Sequence, residues 1–271
     1  MINLEKQKAD ALAFRAMHHG PKILLLPNIW DVASARTVEQ AGFGALATTS
    51  AGIAFTLGYP DGQKISREEM LACVARIARA VKVPVTADVE AGYGDRPEDA
   101  AGTALGVIAA GAVGMNLEDG TDQPGQLVGL SLQVEKIRAV RGAALKSGVL
   151  IVLNARTDVY LDSVGAPETR YDQTVRRLLA YRDAGANCVF APGLRDTATI
   201  SRLARDLSCP LNILAGPGFP SVPELEKLGV ARVSLGSSPM RATLGLVRRM
   251  AEELKSTGTY GALEGHPRMP T

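Results

Sequence analysis

The sequence predicts a (β/α)8 barrel with an extra N-terminal helix, and three observations support this fold class. Eight short runs rich in Val, Ile and Leu alternate with helical patterns, as in the βαβ units of a parallel sheet. The length of 271 residues suits such a barrel, which commonly spans about 250 residues as one domain. No GxGxxG pattern follows the first run, which argues against a dinucleotide-binding sheet.

The elements follow in order from the N-terminus. An amphipathic stretch over residues 3–18 predicts the extra helix, which we expect to cap the floor of the barrel. Several later helices end in Ala-Gly or Leu-Gly directly before a strand, where glycine is the expected C-terminal cap. Ser66 with Glu69, and Pro97, mark two helix starts. The eight predicted strands cover residues 22–28, 44–50, 83–90, 112–119, 149–157, 187–193, 210–216 and 231–237.

The last helix is predicted over residues 239–255, so we assign residues 1–255 to a single barrel domain. Residues 256–271 are rich in Gly, Pro and Thr and are expected to form an irregular C-terminal tail. We also expect a homo-oligomer that associates through the last helices.

The composition is that of a globular domain and argues against several classes of partner. Hydrophobic residues make up 46% of the chain, which allows a large core. A net charge of +2 and only 4% aromatic residues argue against nucleic acid binding. The sequence has no apolar run of membrane-spanning length and no N-terminal signal pattern, so we expect a cytoplasmic protein that binds no membrane. Cys73, Cys188 and Cys209 lie far apart and are expected to be reduced core thiols.

Three carboxylates are predicted to meet at the carboxyl ends of adjacent strands, the face where such barrels carry their active sites. Asp88 and Glu90 are two residues apart, which places them on one side of a strand, and Glu118 ends the next strand. Three carboxylates this close repel one another unless a cation lies between them. Hard oxygen ligands indicate Mg²⁺ or Mn²⁺ as that cation. We expect Asp119 to cap the following helix instead.

Other polar groups at the same face are candidates for binding a substrate. Arg156 ends the fifth strand and is either a structural counter-ion or a fork for a substrate carboxylate. Residues 48–62 offer small residues and backbone N–H groups for an anionic group, although this glycine-rich stretch is also consistent with a plain long loop. Thr49, Ser50 and Gly52 lie in this stretch, Asp61 near its end is placed to hold a metal-bound water, and Asn212 lies on the seventh strand.

Four motifs occur in a specific order at these strand ends. They are TSAGIAFTLGYPD (49–61), ADVEAGYG (87–94), NLEDG (116–120) and NARTD (154–158). Together they resemble the phosphoenolpyruvate mutase/isocitrate lyase superfamily, over about residues 20–255. The resemblance implies a Mg²⁺- or Mn²⁺-dependent enzyme that cleaves or forms a C–C or P–C bond next to a 2-oxo acid, through a metal-stabilised pyruvate enolate.

The resemblance also implies roles for individual residues. Asp88, Glu90 and Glu118 would hold the metal and its waters, and Asp61 would support a further water. Thr49 and Ser50 would lie near the anionic group of the substrate, and Arg156 would bind its carboxylate or oxo oxygen. On this reading the catalytic residues are Arg156, Asp61 and Glu118.

Two departures from the family pattern reduce the number of reactions that this chain is expected to catalyse. The loop over residues 120–129 contains no Cys, Lys or His, which argues against cleavage of isocitrate or methylisocitrate and against phosphonopyruvate mutase activity. Residues 190–193 lack the histidine expected after strand six. The reactions that remain do not require a strong proton donor from the protein. Decarboxylation and hydrolytic cleavage of an oxaloacetate-like acid are two such reactions.

The proton carrier stays open at this point. His18 and His19 are expected at a helix end, and His266 also lies away from the strand ends. Tyr93, Asp122 and metal-bound water are the available alternatives.

Two rival functions remain consistent with the sequence. ILAGPG (213–218) and SLGSSP (234–239) close strands seven and eight, where phosphate commonly binds in such barrels. A barrel enzyme acting on a phosphorylated small molecule would explain these residues but not the acidic cluster. A non-catalytic barrel that only binds its ligand is the other alternative.

Overall fold

A computed structural model describes residues 3–123 and 125–265 of the chain. Within these residues a single sheet of nine parallel strands has the order β1-β9-β8-β7-β6-β5-β4-β3-β2. The strands are β1 (Leu24–Leu26), β2 (Asn28–Ile29), β3 (Leu46–Thr48), β4 (Val85–Asp88), β5 (Gly114–Glu118), β6 (Val152–Arg156), β7 (Cys188–Phe190), β8 (Leu211–Leu214) and β9 (Arg232–Ser234).

The sheet closes through its first strand. β1 pairs with β9 and β2 pairs with β3, and only Pro27, which has no N–H to donate, separates β1 from β2. Asn28 joins the seam: its Oδ1 accepts from the N–H groups of Leu235 (2.7 Å) and Gly236 (2.9 Å), while its Nδ2 donates to the carbonyl of Thr48 (2.8 Å). β1 and β2 are therefore two halves of one strand, and the predicted (β/α)8 barrel is confirmed.

Helices surround the barrel and alternate with its strands. Part of the stretch 48–62 forms the short helix α3 (Ser50–Thr56), which was not predicted from the sequence. The helices are α1 (Leu4–Met17), α2 (Val32–Gln40), α3 (Ser50–Thr56), α4 (Arg67–Ala80), α5 (Pro97–Ala109), α6 (Leu130–Ser147), α7 (Arg170–Asp183), α8 (Thr197–Leu207), α9 (Val222–Lys227) and α10 (Ser238–Ser256), with single 3-10 turns at Pro167–Thr169 and Gly261–Leu263.

The extra helix α1 packs at the amino-terminal ends of the strands, as expected. Gln7 donates from Nε2 to the carbonyls of Ile108 (2.8 Å) and Ala112 (3.0 Å), just before β5 begins. Phe14 is fully buried beneath the sheet. A Cβ on Gly114 would lie only 2.9 Å from the Phe14 ring, so the first position of β5 has room for glycine alone.

The barrel interior is unusually polar. Large aliphatic side chains usually fill this space, yet Asn116, Asn154, Asn212 and Arg232 are all buried on strands here. Arg232 on β9 reaches Asn116 on β5 (3.4 Å), and because these strands are not neighbours the contact crosses the interior. The polar groups therefore face inward, beneath the open end of the barrel.

The remaining sequence predictions have mixed outcomes. The three cysteines are unpaired, but only Cys188 is fully buried while Cys73 and Cys209 are half-buried. In α10 only Met240 is buried. No helix in the described parts of the chain has the length and apolar character needed to cross a membrane. His266 lies outside the described residues.

Candidate active site

A cavity of about 170 Å³ opens at the carboxyl ends of the strands. Its wall combines apolar groups, among them Leu161, Phe190 and Leu214, with a larger polar set. The polar and charged residues that line it are Asn28, Thr49, Ser50, Asp61, Asp88, Asn116, Arg156, Ser234 and Ser237. The cavity therefore brings together side chains from at least five strand ends.

Asp88 ends β4 and is held on both carboxylate oxygens. Ser50 donates to Oδ2 from its backbone N–H (3.0 Å) and its hydroxyl (2.8 Å), and Asn116 donates from Nδ2 to Oδ1 (3.1 Å). The Asp88 backbone N–H donates to the hydroxyl of Thr48 (2.8 Å). All of these partners are neutral, so among the described residues the carboxylate of Asp88 has no directly bonded counter-ion.

Arg156 ends β6 and forms ion pairs with two carboxylates. Its Nη1 lies 2.6 Å from Glu118, while its Nε and Nη2 donate to Asp158 (2.5 and 3.1 Å). The guanidinium also lies 5.8 Å from the centre of the Phe190 ring. Burial disfavours the charged form of Arg156, but Glu118 and Asp158 outweigh it and raise its pKa above the usual value. Since the guanidinium also lines the cavity, its remaining N–H groups are available to an anionic ligand.

Asp119 does not cap a helix, so that expectation is wrong. α6 begins only at Leu130, and Asp119 is instead fully buried behind the cavity. Its carboxylate accepts from the hydroxyls of Thr157 (2.7 Å) and Tyr181 (2.5 Å), from the N–H of Asp158 (2.9 Å) and from Arg177 (3.0 Å). This arrangement fixes the loop after β6, and with it the Asp158 side chain that grips Arg156.

Glu90 reaches the site in a different way from the one predicted. β4 ends at Asp88, and Glu90 has a left-handed φ of 52°, so the two residues are not related by strand alternation. The Glu90 carboxylate accepts from the backbone N–H of Gln63 and lies 3.4 Å from the Tyr93 hydroxyl. Gln63 also accepts from the N–H of Tyr93 (2.6 Å), which fastens the loop after α3 to the loop after β4.

Burial and mutual repulsion shift the acidic groups at this face. Burial raises the pKa of Asp61, and the charge of Asp88 raises it further. The same two causes raise the pKa of Glu90 to about 7. Burial also raises the pKa of Glu118 well above its usual value, although Arg156 opposes this. The cluster therefore carries more acidic groups than Arg156 alone neutralises.

The structure brings some of the predicted site residues together and leaves others aside. Thr49, Ser50, Asp61, Asp88 and Arg156 line one cavity, while Glu90 and Glu118 adjoin it but bond to protein groups. Gly52 packs against Thr49 and Trp30, and a Cβ there would lie 2.6 Å from the Thr49 methyl group. Asn212 is buried and donates to the hydroxyl of Ser234 (3.2 Å).

Sequence reasoning missed Asn116 and Gln63. Asn116 precedes Glu118 by two residues on β5, so strand alternation could have placed it on the inward face. Gln63 gives no such signal, because its role depends on a left-handed turn with φ of 55° in a loop. The proton carrier candidate Asp122 pairs with Lys64 (3.1 Å) at the surface.

The oxygen ligands at this face suit a divalent cation that keeps part of its water shell. Among residues 3–123 and 125–265, no three acidic, histidine or cysteine side chains are arranged to ligate one metal directly. Mg²⁺, however, often takes only one or two carboxylates and keeps several waters. Asp88 and Asp61 line the cavity with oxygen ligands, and the surrounding acidic groups repel one another in the absence of a cation. These residues fit Mg²⁺ or Mn²⁺ held largely through water.

Comparisons with known proteins assign the family. A family model described as phosphoenolpyruvate phosphomutase matches residues 14–255. An uncharacterised protein of Mycobacterium tuberculosis is 36% identical over 233 residues, covering 86% of this chain and 85% of the relative. An oxaloacetate decarboxylase of Pseudomonas paraeruginosa is 30% identical over 242 residues, covering 85% of this chain and 80% of the relative.

Solved structures agree with this assignment. A Burkholderia cenocepacia protein, provisionally classed as a lyase/mutase, superposes with a TM-score of 0.91 at 40% identity, covering 97% of this chain and 94% of the other. Oxaloacetate acetylhydrolase, solved with its product oxalate, gives a TM-score of 0.83 at 27% identity, covering 93% and 89%. The chain therefore belongs to the phosphoenolpyruvate mutase/isocitrate lyase superfamily of lyases and mutases.

Proposed function

We propose that this enzyme is a Mg²⁺-dependent lyase that cleaves a C–C bond next to the oxo group of a small, oxaloacetate-like 2-oxo acid. The observation that carries the proposal is the cavity itself, in which Asp88, Asp61 and Arg156 face one small space. A metal-binding side and a carboxylate-binding side would there share a cavity of about 170 Å³, which suits a small dicarboxylic acid. The relatives named above as acting on oxaloacetate support this substrate class.

Asp88 is the proposed direct ligand of the cation, with Asp61, Glu90 and Glu118 bound to it through water. Ser50 and Asn116 orient the Asp88 carboxylate without neutralising it, which keeps it available as a ligand. Mg²⁺ bound there would supply Lewis-acid stabilisation of the negative charge that develops on the 2-oxo group.

Arg156 is the proposed anchor for a substrate carboxylate. Asp158 and Glu118 hold three of its nitrogen atoms from behind and fix the guanidinium plane. A fixed fork binds a carboxylate in one orientation and would thereby orient the substrate for cleavage. Phe190 and Leu161 add apolar surface to the wall of the same cavity.

The loop after β5 favours a reaction that needs no strong protein acid. Residues 120–129 contain no Cys, Lys or His, so decarboxylation or hydrolytic cleavage of an oxaloacetate-like acid fits better than cleavage of a tricarboxylic acid. The absence of these three residue types also disfavours cleavage or formation of a P–C bond, a reaction that the family also includes. Tyr93 and water remain the proton sources we propose.

The proposal is tested by ligand-dependent stability and by turnover. Oxalate mimics a pyruvate enolate, so Mg²⁺ with oxalate should raise the melting temperature well beyond Mg²⁺ alone. Turnover should then be sought with a panel of 2-oxo and 2-hydroxy di- and tricarboxylic acids. Stabilisation by inorganic phosphate and none by oxalate would instead indicate an enzyme for phosphorylated substrates. Tight oxalate binding with no turnover across the panel would indicate a ligand-binding barrel.

We also infer a homo-oligomer. α10 exposes Leu244, Leu246, Val247 and Leu254, while it buries only Met240. A helix with this many exposed apolar side chains is stabilised when a second copy covers them. Light scattering should give a mass above that of one chain, and a monomer at micromolar concentration would refute the inference.

A further inference from the structure

Three buried polar side chains form a chain of hydrogen bonds beneath Asp88. Asn154 on β6 donates from Nδ2 to Oδ1 of Asn116 on β5 (2.8 Å), and Arg232 on β9 points Nη2 at the same oxygen (3.4 Å). Asn116 in turn donates from Nδ2 to Oδ1 of Asp88 (3.1 Å). Asn154 and Arg232 have no exposed surface, and neither lines the cavity.

These contacts determine which way the Asn116 amide faces. An amide has one acceptor atom and one donor atom, and here two donors converge on the oxygen. The flipped amide would place its oxygen against the Asp88 carboxylate and its NH₂ group against the Arg232 guanidinium. Both contacts would be repulsive, so Asn154 and Arg232 select the orientation that donates to Asp88.

Folding stability alone does not account for these side chains. Two nitrogen atoms of Arg232, Nε and Nη1, find no hydrogen-bond partner among the described residues, and neither does Oδ1 of Asn154. Buried polar groups left unpaired in this way destabilise a fold, and a well-packed apolar side chain is often neutral or better at such a position. The contacts that these residues do make lead to Asp88.

We propose that Asn154 and Arg232 are positioning residues for metal binding, which act on Asp88 through Asn116. Oriented by these two residues, Asn116 holds one oxygen of Asp88 from inside the barrel, while Ser50 holds the other from the rim. The carboxylate is then oriented before a cation arrives. This inference rests on the proposed function, in which Asp88 is the metal ligand.

The test measures Mn²⁺ binding by the metal-free protein, with free Mn²⁺ followed by electron paramagnetic resonance, so no turnover is needed. Asn154→Leu removes the donor without changing charge and should raise the Mn²⁺ dissociation constant several-fold, approaching the roughly tenfold effect of losing a direct outer partner of a metal ligand such as Asn116. Thr86→Val is the matched control, because Thr86 is buried on the same strand as Asp88 and its hydroxyl has no partner among the described residues. This control should bind Mn²⁺ like the wild type.

A second comparison shows whether the effect passes through Asn116. In an Asn116→Leu background, which should itself bind Mn²⁺ more weakly, adding Asn154→Leu should cause no further loss. Asn116→Leu also tests the link directly if Asn154→Leu does not fold. Arg232→Lys keeps the charge and a donor and should retain most of the affinity.

The possible results distinguish a failure of the positioning role from a failure of the proposed metal site. If the wild type binds Mn²⁺ and folded Asn154→Leu binds it equally well, the positioning role is wrong while the proposed metal site stands. The same holds if Asn154→Leu lowers the melting temperature and leaves Mn²⁺ binding unchanged. If the wild type binds no Mn²⁺, both the metal site and the positioning role are refuted.

Discussion

His18, at the floor of the barrel, should make the protein less stable in mild acid. Its Nδ1 lies 2.8 Å from the carbonyl of Phe14 and donates to it, while its buried Nε2 has no partner among the described residues. A proton on Nε2 would be a buried, unpaired charge. Burial, with the charge of Arg232 as a second cause, lowers the pKa of His18 from 6.5 to about 3.

The sign and size of the effect follow from proton binding in the two states. Between pH 6.5 and about 3 the unfolded chain binds a proton at His18 and the folded protein does not, so the free energy of unfolding falls as the pH falls. The loss reaches about 1.4 kcal/mol per pH unit within this window, or about 2 kcal/mol at pH 5. Above pH 7 the imidazole is neutral in both the folded and the unfolded state, so no stability is lost there.

The assay is urea unfolding followed by circular dichroism at several values between pH 7 and pH 5. His18→Gln retains a donor for Phe14 but does not titrate, so its stability should change about 2 kcal/mol less than that of the wild type over this range. His19→Gln, at the exposed neighbouring position, should keep the wild-type pH dependence. Equal slopes for His18→Gln and the wild type would refute the assignment of a buried neutral imidazole.

Three further predictions concern the site and its support. Asp88→Ala should keep its melting temperature without ligand but lose the added stabilisation by Mg²⁺ with oxalate, and a full ligand shift measured by scanning fluorimetry would remove Asp88 from the metal site. Arg156→Lys keeps the charge but not the fork, so isothermal titration calorimetry in Mg²⁺ should show oxalate binding weakened about tenfold or more, whereas unchanged affinity would exclude carboxylate binding by Arg156. Tyr181→Phe removes a hydrogen bond to buried Asp119, and urea unfolding should show a loss of about 1–3 kcal/mol. A loss below about 0.5 kcal/mol would mean that the other donors to Asp119 compensate.

The barrel and the group of acidic residues at the carboxyl ends of its strands could be predicted, because both depend on local sequence patterns. Alternating apolar runs and helices predict parallel strands, and motifs that end strands must lie on one face. The polar contacts across the barrel interior could not be predicted, because the inward positions of barrel strands are expected to be apolar. Asn154 and Arg232 contradict that assumption, and the contact of Arg232 joins two strands whose contacting residues lie 116 positions apart in the chain.

The errors at the site share a physical cause. Glu90 was placed by strand alternation, but the strand ends two residues earlier and the backbone turns left-handed. Asp119 is expected at a helix start because Asp often caps helices. In the structure its carboxylate instead accepts hydrogen bonds from four donors in later parts of the chain. In both cases tertiary hydrogen bonds decide the outcome, and a single sequence carries no record of them.

The seam at Asn28 has a consequence for how this chain folds. Its side chain bonds to backbone groups 207 and 208 residues further along, so the ring of strands remains open until the chain has been made as far as Gly236. Contacts between such distant segments form slowly, because loop-closure entropy opposes them before they stabilise the product. During synthesis the first and last strands would therefore have exposed edges, and nascent chains stalled before residue 234 should be prone to pair with one another.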